Sequence, residues 1–297
     1  MLKCQNLSKT FSETKVLDDL SFHIPQGAIF GLLGPNGSGK TTSIRLLNGL
    51  LKADSGLATI KGHPVSQEDP HLRHICGVMT EGANLYDQLT GRQNLSFFAE
   101  IYSLANATKR INNLLQQFNL TEAADRKVRT YSTGMRKRLM LARTLLHKPQ
   151  MLFLDEPTSG LDPEAALKVN QEIKRLASDE GVTILLCTHQ LKYAEGLCTA
   201  YGFLDHGKMI ANGSWDELLS MAGRPRFLKI RGSLPNHPTV QYDTDGLATI
   251  HINDDQEAAR IIHQLINQGA IIYEATQTGL SLEDLYFQLL QNARQSA

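Results

Sequence analysis

The stretch GPNGSGKTT, Gly34 to Thr42, places three glycines and a lysine between an apolar run, AIFGLL, and a run with helical spacing, KTTSIRLLNGLL. Three glycines in six positions remove the side chains that would keep a ligand off the backbone, and the lysine that follows marks the ligand as an anion. The spacing is G-x-x-x-x-G-K-[ST], a phosphate-binding loop, in the strand–loop–helix setting that the motif requires. On this reading the backbone of Gly34, Pro35, Asn36, Gly37, Ser38 and Gly39 wraps a polyphosphate through its N–H groups. The helix N-terminus adds its positive end. Lys40 reaches the β- and γ-phosphates, the Thr41 hydroxyl holds Mg²⁺, and Thr42 completes the loop.

A second stretch, MLFLDEP at 151–157, supplies carboxylates. Four apolar residues deliver Asp155 to the end of a buried strand, where it can hold Mg²⁺ directly or through water. Glu156 follows at once and can polarise an attacking water as general base. Many strands end in acidic residues, so the run alone says little. As companion to an upstream phosphate loop it points to nucleotide hydrolysis.

These groups need a frame to position them. The continuous apolar runs MLFLD and VTILLCT read as parallel strands covered on both faces, and PEAALKVNQEIKRLASDEG between them as a helix with Pro in its first turn and Gly at its end. That succession is an α/β core, of the class that carries phosphate loops. Strand-like pieces precede it: KVLDDLSFHI, GLATIKG and ICGVMT. From Thr90 the pattern turns helical. TGRQNLSFFAEIYSL and ATKRINNLLQQFNL read as two amphipathic helices, TEAAD as the start of a third helical piece, and MRKRLMLARTLLHK as a helix ended by Pro149. This is a helical insertion over about 88–148. Ser214 and Glu217 have capping-box spacing near the end of a first domain, 1–222. After the linker-like GRPRF, residues 225–297 read as a small accessory α+β domain, β-β-β-α-β-α, with a DG turn at Asp245 and Gly246 and caps at Ser281 and Asp284.

Composition excludes several functions. Thirty Lys and Arg balance thirty Asp and Glu, so the broad basic footprint of a nucleic-acid binder is missing. The four cysteines form no CxxC pair; Cys76 and Cys187 lie in apolar runs and are expected as small core residues in a reducing compartment. The ten histidines lack metal-site spacing, so no metal-binding cluster is expected. The N-terminal residues do not read as a signal peptide, and no stretch approaches 18 apolar residues, so the chain is expected to be soluble and cytosolic.

YSTGMRKRLMLARTLLHKPQMLFLDEPTSGLDP resembles the signature region of ABC-transporter ATPases running into their Walker B strand and D-loop. The resemblance extends over about the first 220 residues. TEGANLYDQLTGRQNL and YSTGMRKRL are similar to the branch that serves drug, antibiotic and polysaccharide exporters; SLEDLYFQLL resembles the ends of that branch more weakly. The resemblance implies the P-loop fold of ABC type, with an N-terminal antiparallel β subdomain. It implies that Ser132 and Gly134 address the γ-phosphate of ATP on a partner subunit, giving two ATP in a head-to-tail dimer. It makes Asp162 the D-loop residue and His189, after VTILLCT, the switch histidine at the γ-phosphate. Phe11 becomes the candidate for stacking on adenine, with Val16 beside it, although Phe11 also fits a core role. Glu81 stands where many members carry a glutamine that touches Mg²⁺ and links ATP to the membrane partner; the resemblance implies that coupling role for Glu81, whose carboxylate can also meet the metal. Thr133 and Met135 stand where glycine and glutamine are frequent.

The implied function is a motor subunit: ATP binding closes a homodimer or a pair of ATPase subunits, and hydrolysis reopens it, driving integral membrane permease subunits. The expected place is the inner face of the cell membrane, peripherally, through that partner. Three other readings compete. Translation-factor ATPases carry two cassettes, for which this chain lacks room. Structural-maintenance ATPases insert long coiled coils, and no sustained heptads occur here. A silent interaction module is opposed by the intact Lys40, Asp155, Glu156 and His189.

Overall fold

The computed structural model describes residues 1–67, 69–80, 85–223, 226–234, 241–242 and 247–295. The chain divides into two compact units, Met1–Asn212 and Gly213–Ala297. The first unit runs through β1 (Leu2–Phe11), β2 (Thr14–Ile24), β3 (Ile29–Leu33), α1 (Lys40–Leu47), β4 (Ser55–Ile60), β5 (His63–Pro64), α2 (Pro70–Ile75) and β6 (Cys76–Met79). It continues with α3 (Gly91–Ile101), α4 (Ala107–Gln117), α5 (Thr133–Thr144), β7 (Met151–Asp155), α6 (Pro163–Ser178), β8 (Thr183–Thr188), α7 (Leu191–Glu195), β9 (Ala200–Asp205) and β10 (Lys208–Ser214).

Among the described residues the first unit holds an antiparallel sheet, β2-β1-β4-β5, and a six-stranded sheet, β10-β9-β3-β8-β7-β6. Within the larger sheet β9, β3, β8, β7 and β6 are parallel neighbours. Their residues are almost all buried because both faces are covered. Leu152, Leu154, Ile184 and Leu186 join one core with residues of α3 to α6. Met151, Phe153, Leu185 and Cys187 join another with α1 and the antiparallel sheet. Phe30, Phe153 and Phe203 are buried to within 1%, each contributing roughly 1.5–3 kcal/mol.

Cys76 and Cys187 are buried free thiols, and burial pushes the Cys76 thiol up to about 12. The insertion is tied together where it enters and leaves: the N–H of Val128 donates to the Leu89 carbonyl at 2.9 Å, and that of Arg92 to the Ala124 carbonyl at 2.9 Å. Fully buried Asn94 clamps the entry, accepting from the N–H of Tyr86 at 2.8 Å and donating to the Tyr86 carbonyl at 3.0 Å.

TEAAD does not begin a helix. Residues 121–126 form successive turns, with the N–H of Ala123, Ala124 and Arg126 donating three residues back. Three carbonyls there serve other segments: Ala124 accepts from the N–H of Arg92, Arg126 from that of Gly91 at 3.3 Å, and Ala123 from the buried Tyr131 hydroxyl at 2.6 Å. The first helix is shorter than KTTSIRLLNGLL suggests, ending at Leu47 ahead of Gly49 at φ 74°.

The second unit comprises α8 (Trp215–Met221), β11 (Arg226–Ser233), β12 (Gln241–Tyr242), β13 (Ala248–Ile252), α9 (Asp255–Asn267), β14 (Ile271–Gly279) and α10 (Leu282–Gln295). Its sheet is ordered β12-β13-β11-β14, and α9 packs on it through Ala258 and Leu265 against Leu228, Ile230 and Ile250. The β-β-β-α-β-α order matches the sequence reading, and both capping pairs form. Asp245 and Gly246 lie outside the described residues. The boundary falls earlier than 222, because α8 belongs with the tail: the Gln288 amide donates to the Ala222 carbonyl at 3.0 Å.

Candidate functional site

Neighbouring parallel strands β3, β8 and β7 end side by side, so the phosphate loop, His189 and the Asp155–Glu156 pair meet at one edge of the sheet. The loop between β3 and α1 is closed by backbone contacts that exclude side chains. A Cβ on Gly34 would stand 2.1 Å from the Leu204 carbonyl oxygen, and one on Gly39, at φ 107°, 2.7 Å from Leu17. Only glycine fits at these positions.

Lys40 is 6% exposed, and its Nζ donates to the carbonyls of Gly34 at 2.7 Å and Pro35 at 2.8 Å. Burial lowers its pKa, while Cys187, Glu156 and Asp155 act against that shift. Ser38 is buried, and its Oγ lacks a partner among the described residues. A cradle without side chains, a buried ammonium and an unsatisfied hydroxyl fit a polyphosphate.

The Thr41 hydroxyl donates to Asp155 Oδ2 at 2.9 Å, which pairs two hard oxygen donors of the kind Mg²⁺ takes. Val16, Asn36, Gly37, Gly39, Lys40, Thr41, Thr42, Asp155 and Glu156 line a cavity of about 220 Å³. Glu156 Oε1 accepts from the N–H of His189 at 2.9 Å and lies 2.6 Å from His189 Nδ1; Oε2 accepts from the Thr188 hydroxyl at 2.9 Å. An ionised carboxylate offers about four acceptor sites, so one is left for a further donor such as water.

Ser132, Gly134, Asp162 and Phe11 do not line that cavity. Ser132 caps α5, its Oγ accepting from the N–H of Met135 at 3.2 Å; the helix begins at Thr133, two residues before Met135. Asp162 caps α6, accepting from the N–H of Ala165 at 2.9 Å. The two helix starts adjoin, since a Cβ on Gly134 would lie 3.6 Å from Ala165 and 3.9 Å from Leu161. Phe11 is 43% exposed at the end of β1, with Lys9 Nζ 5.5 Å from its ring centroid, which excludes the core role. Glu81 lies outside the described residues.

Two polar residues at the site carry no motif signal. Thr188 closes an apolar run like any strand-ending threonine, and Lys137 sits among the basic residues of MRKR as if exposed. It is in fact buried, its Nζ donating to the Glu156 carbonyl at 3.0 Å.

The family model described as ABC transporter matches residues 17–159. The linearmycin resistance ATP-binding protein LnrL of Bacillus subtilis is 35% identical over 232 residues, covering 77% of this chain and 74% of that protein. The daunorubicin resistance ATP-binding protein DrrA2 of Streptomyces coeruleorubidus is 34% identical over 290 residues, covering 96% of this chain and 90% of that one, so this likeness includes the tail. Among solved structures, an ATP-binding subunit of an ABC transporter matches with a TM-score of 0.69 at 30% identity, over 75% of this chain and 93% of its own. A dimeric ATP-binding cassette in a post-hydrolysis state, bound to ADP and phosphate, matches with a TM-score of 0.65 at 26% identity, over 72% and 98%. With phosphate loop, acidic pair and histidine gathered on a P-loop core, this chain belongs to the ABC transporter family as an ATP-binding, ATP-hydrolysing subunit.

Proposed function

We propose that the chain is the motor of an exporter. Two ATPase subunits, identical or paired, close around two ATP and drive separate integral membrane permeases that move a drug, antibiotic, lipid or polysaccharide outwards. The observation that carries this reading is the convergence of Lys40, Thr41, Asp155 and Glu156 at neighbouring strand ends, with Thr41 on Asp155 at 2.9 Å. Lys40 and the loop from Gly34 to Thr42 bind the phosphates. Glu156 takes the proton of the attacking water, and His189, fixed by Glu156, contacts the γ-phosphate. Phe11 and Val16 receive the base. Thr41 and Asp155 would hold Mg²⁺, which when bound neutralises phosphate charge. Ser132, Gly134 and Asp162 serve the partner's nucleotide.

The direction of transport is supported by relatives named for linearmycin and daunorubicin resistance. Pairing is supported by the dimeric cassette among the similar structures. No helix among the described residues is long and apolar enough to cross a membrane. On this reading the chain acts at the inner face of the membrane, through its permease. Purified chain should release phosphate from ATP with Mg²⁺ present and fall to background with excess chelator. Turnover unchanged by chelation would overturn the site reading.

The permease contact is proposed at the entry to the insertion. Tyr86 and Phe97 pack edge to face at 5.0 Å yet remain 48% and 40% exposed, and Ile101 beside them on α3 is 61% exposed. Such anchors are worth about 1–2 kcal/mol or more each in a groove-and-helix interface. Tyr86→Ala is expected to lower transport about tenfold while the isolated ATPase stays close to wild type. Cysteines at Tyr86 or Leu89 should crosslink to a multi-helix membrane protein; capture of only ribosomal or DNA-bound partners would defeat the exporter reading.

A further inference from the structure

Glu156 has a left-handed backbone, φ 49°, uncommon for a residue with a Cβ. Several separate contacts hold it there. Its N–H donates to the Cys187 carbonyl on β8 at 2.9 Å. Its carboxylate is gripped by Thr188 and His189 just beyond. Its carbonyl accepts from the N–H of Ser159 at 3.2 Å and from Lys137 Nζ at 3.0 Å.

The lysine contact differs in kind. The Cys187, Thr188 and His189 contacts come from the neighbouring strand of the same sheet, and Ser159 from the turn that Glu156 itself begins. Lys137 comes from α5, the helix capped by Ser132 and carrying Gly134 in its first turn. Burying an ammonium is costly unless it is satisfied, and here a backbone carbonyl of the acidic pair receives it.

We infer that Lys137 is a positioning residue that keeps Glu156 in its working conformation and ties that conformation to the placement of α5. The inference rests on the reading of Glu156 as general base and of the α5 N-terminus as the contact to a partner's nucleotide. Its consequence is that seating α5 on one nucleotide is felt at the base serving the other. The two sites of a dimer would be linked within each chain by one side chain.

Lys137→Met keeps the apolar stem and removes the donor, and the Glu156 carbonyl still has Ser159. A base displaced by a fraction of an ångström, with the phosphate loop unchanged, should lower turnover and spare binding. With full-length chain, ATP and Mg²⁺, kcat is expected to fall about tenfold to a hundredfold, with KM within about twofold. Dimer formation with a non-hydrolysable ATP analogue should persist on size exclusion, since Ser132 and Gly134 are intact. Lys137→Arg, which keeps a charged donor, should recover kcat to within about threefold. If Lys137→Met melts below the assay temperature, Lys137→Gln, whose amide falls one bond short, should show the same kcat–KM split. Wild-type kcat in the donor-free variant, a loss carried by KM or by dimerisation, or arginine no better than methionine would each overturn the inference. Glu156→Gln run alongside separates the two levels. If it turns over normally, the base reading itself is wrong; if it is inactive while Lys137→Met is normal, only the role of Lys137 is wrong.

Discussion

Glu156→Gln is expected to convert the protein into a stable ATP-bound dimer that barely hydrolyses. The amide is the same size as the carboxylate and can keep its main partners: its oxygen accepts from His189, and its NH₂ can face the Thr188 hydroxyl, which also accepts from the N–H of Gln190 at 3.0 Å. The nucleotide contacts are therefore retained, and what is lost is proton acceptance. Removing a general base costs about 10²–10⁴-fold in turnover. Phosphate release measures that loss, and size exclusion with ATP and Mg²⁺ should show dimer where wild-type chain returns to monomer. A monomer with ATP, or turnover within about tenfold of wild type, would contradict the role of Glu156.

Lys40→Ala should be silent in both hydrolysis and nucleotide-driven dimerisation. The loop keeps its glycines but loses its buried cation, and a charged donor of this kind is worth at least about 10²–10³-fold in rate. The fold should survive. The folded-state pKa of Lys40 is depressed, chiefly by burial, so below that folded pKa the charged lysine works against the folded state, and its removal relieves the penalty. A thermal midpoint near wild type, with hydrolysis gone, is the expected pair of results.

Much of the core was legible because its chemistry leaves periodic marks. MLFLD and VTILLCT could be placed in a doubly covered parallel sheet, since a half-exposed strand alternates and does not carry four apolar residues in succession, and every residue of both is buried. Glycine spacing located the loop for a steric reason that the Leu204 carbonyl makes plain. TEAAD was misleading because helix-forming residues were overridden by tertiary bonds to Arg92 and Tyr131. The boundary near residue 222 failed because a capping box marks where a helix starts and not which core it joins. Lys137 was invisible because burial of a single lysine in a basic run has no pattern in one dimension.

In the proposed dimer each hydrolytic site is shared, its phosphate loop from one chain and its signature helix from another. Gly134 offers a clean second variant, since a Cβ there meets only ordinary contacts within this chain, at 3.6 Å and beyond. Gly134→Asp should therefore fold and fail by repelling the partner's phosphate. Mixing Lys40→Ala chain with Gly134→Asp chain, each inactive alone, creates mixed dimers with one intact composite site. Phosphate release should reappear on mixing. Wild-type chain that hydrolyses ATP by itself, together with a mixture as silent as its two components, would contradict the shared site.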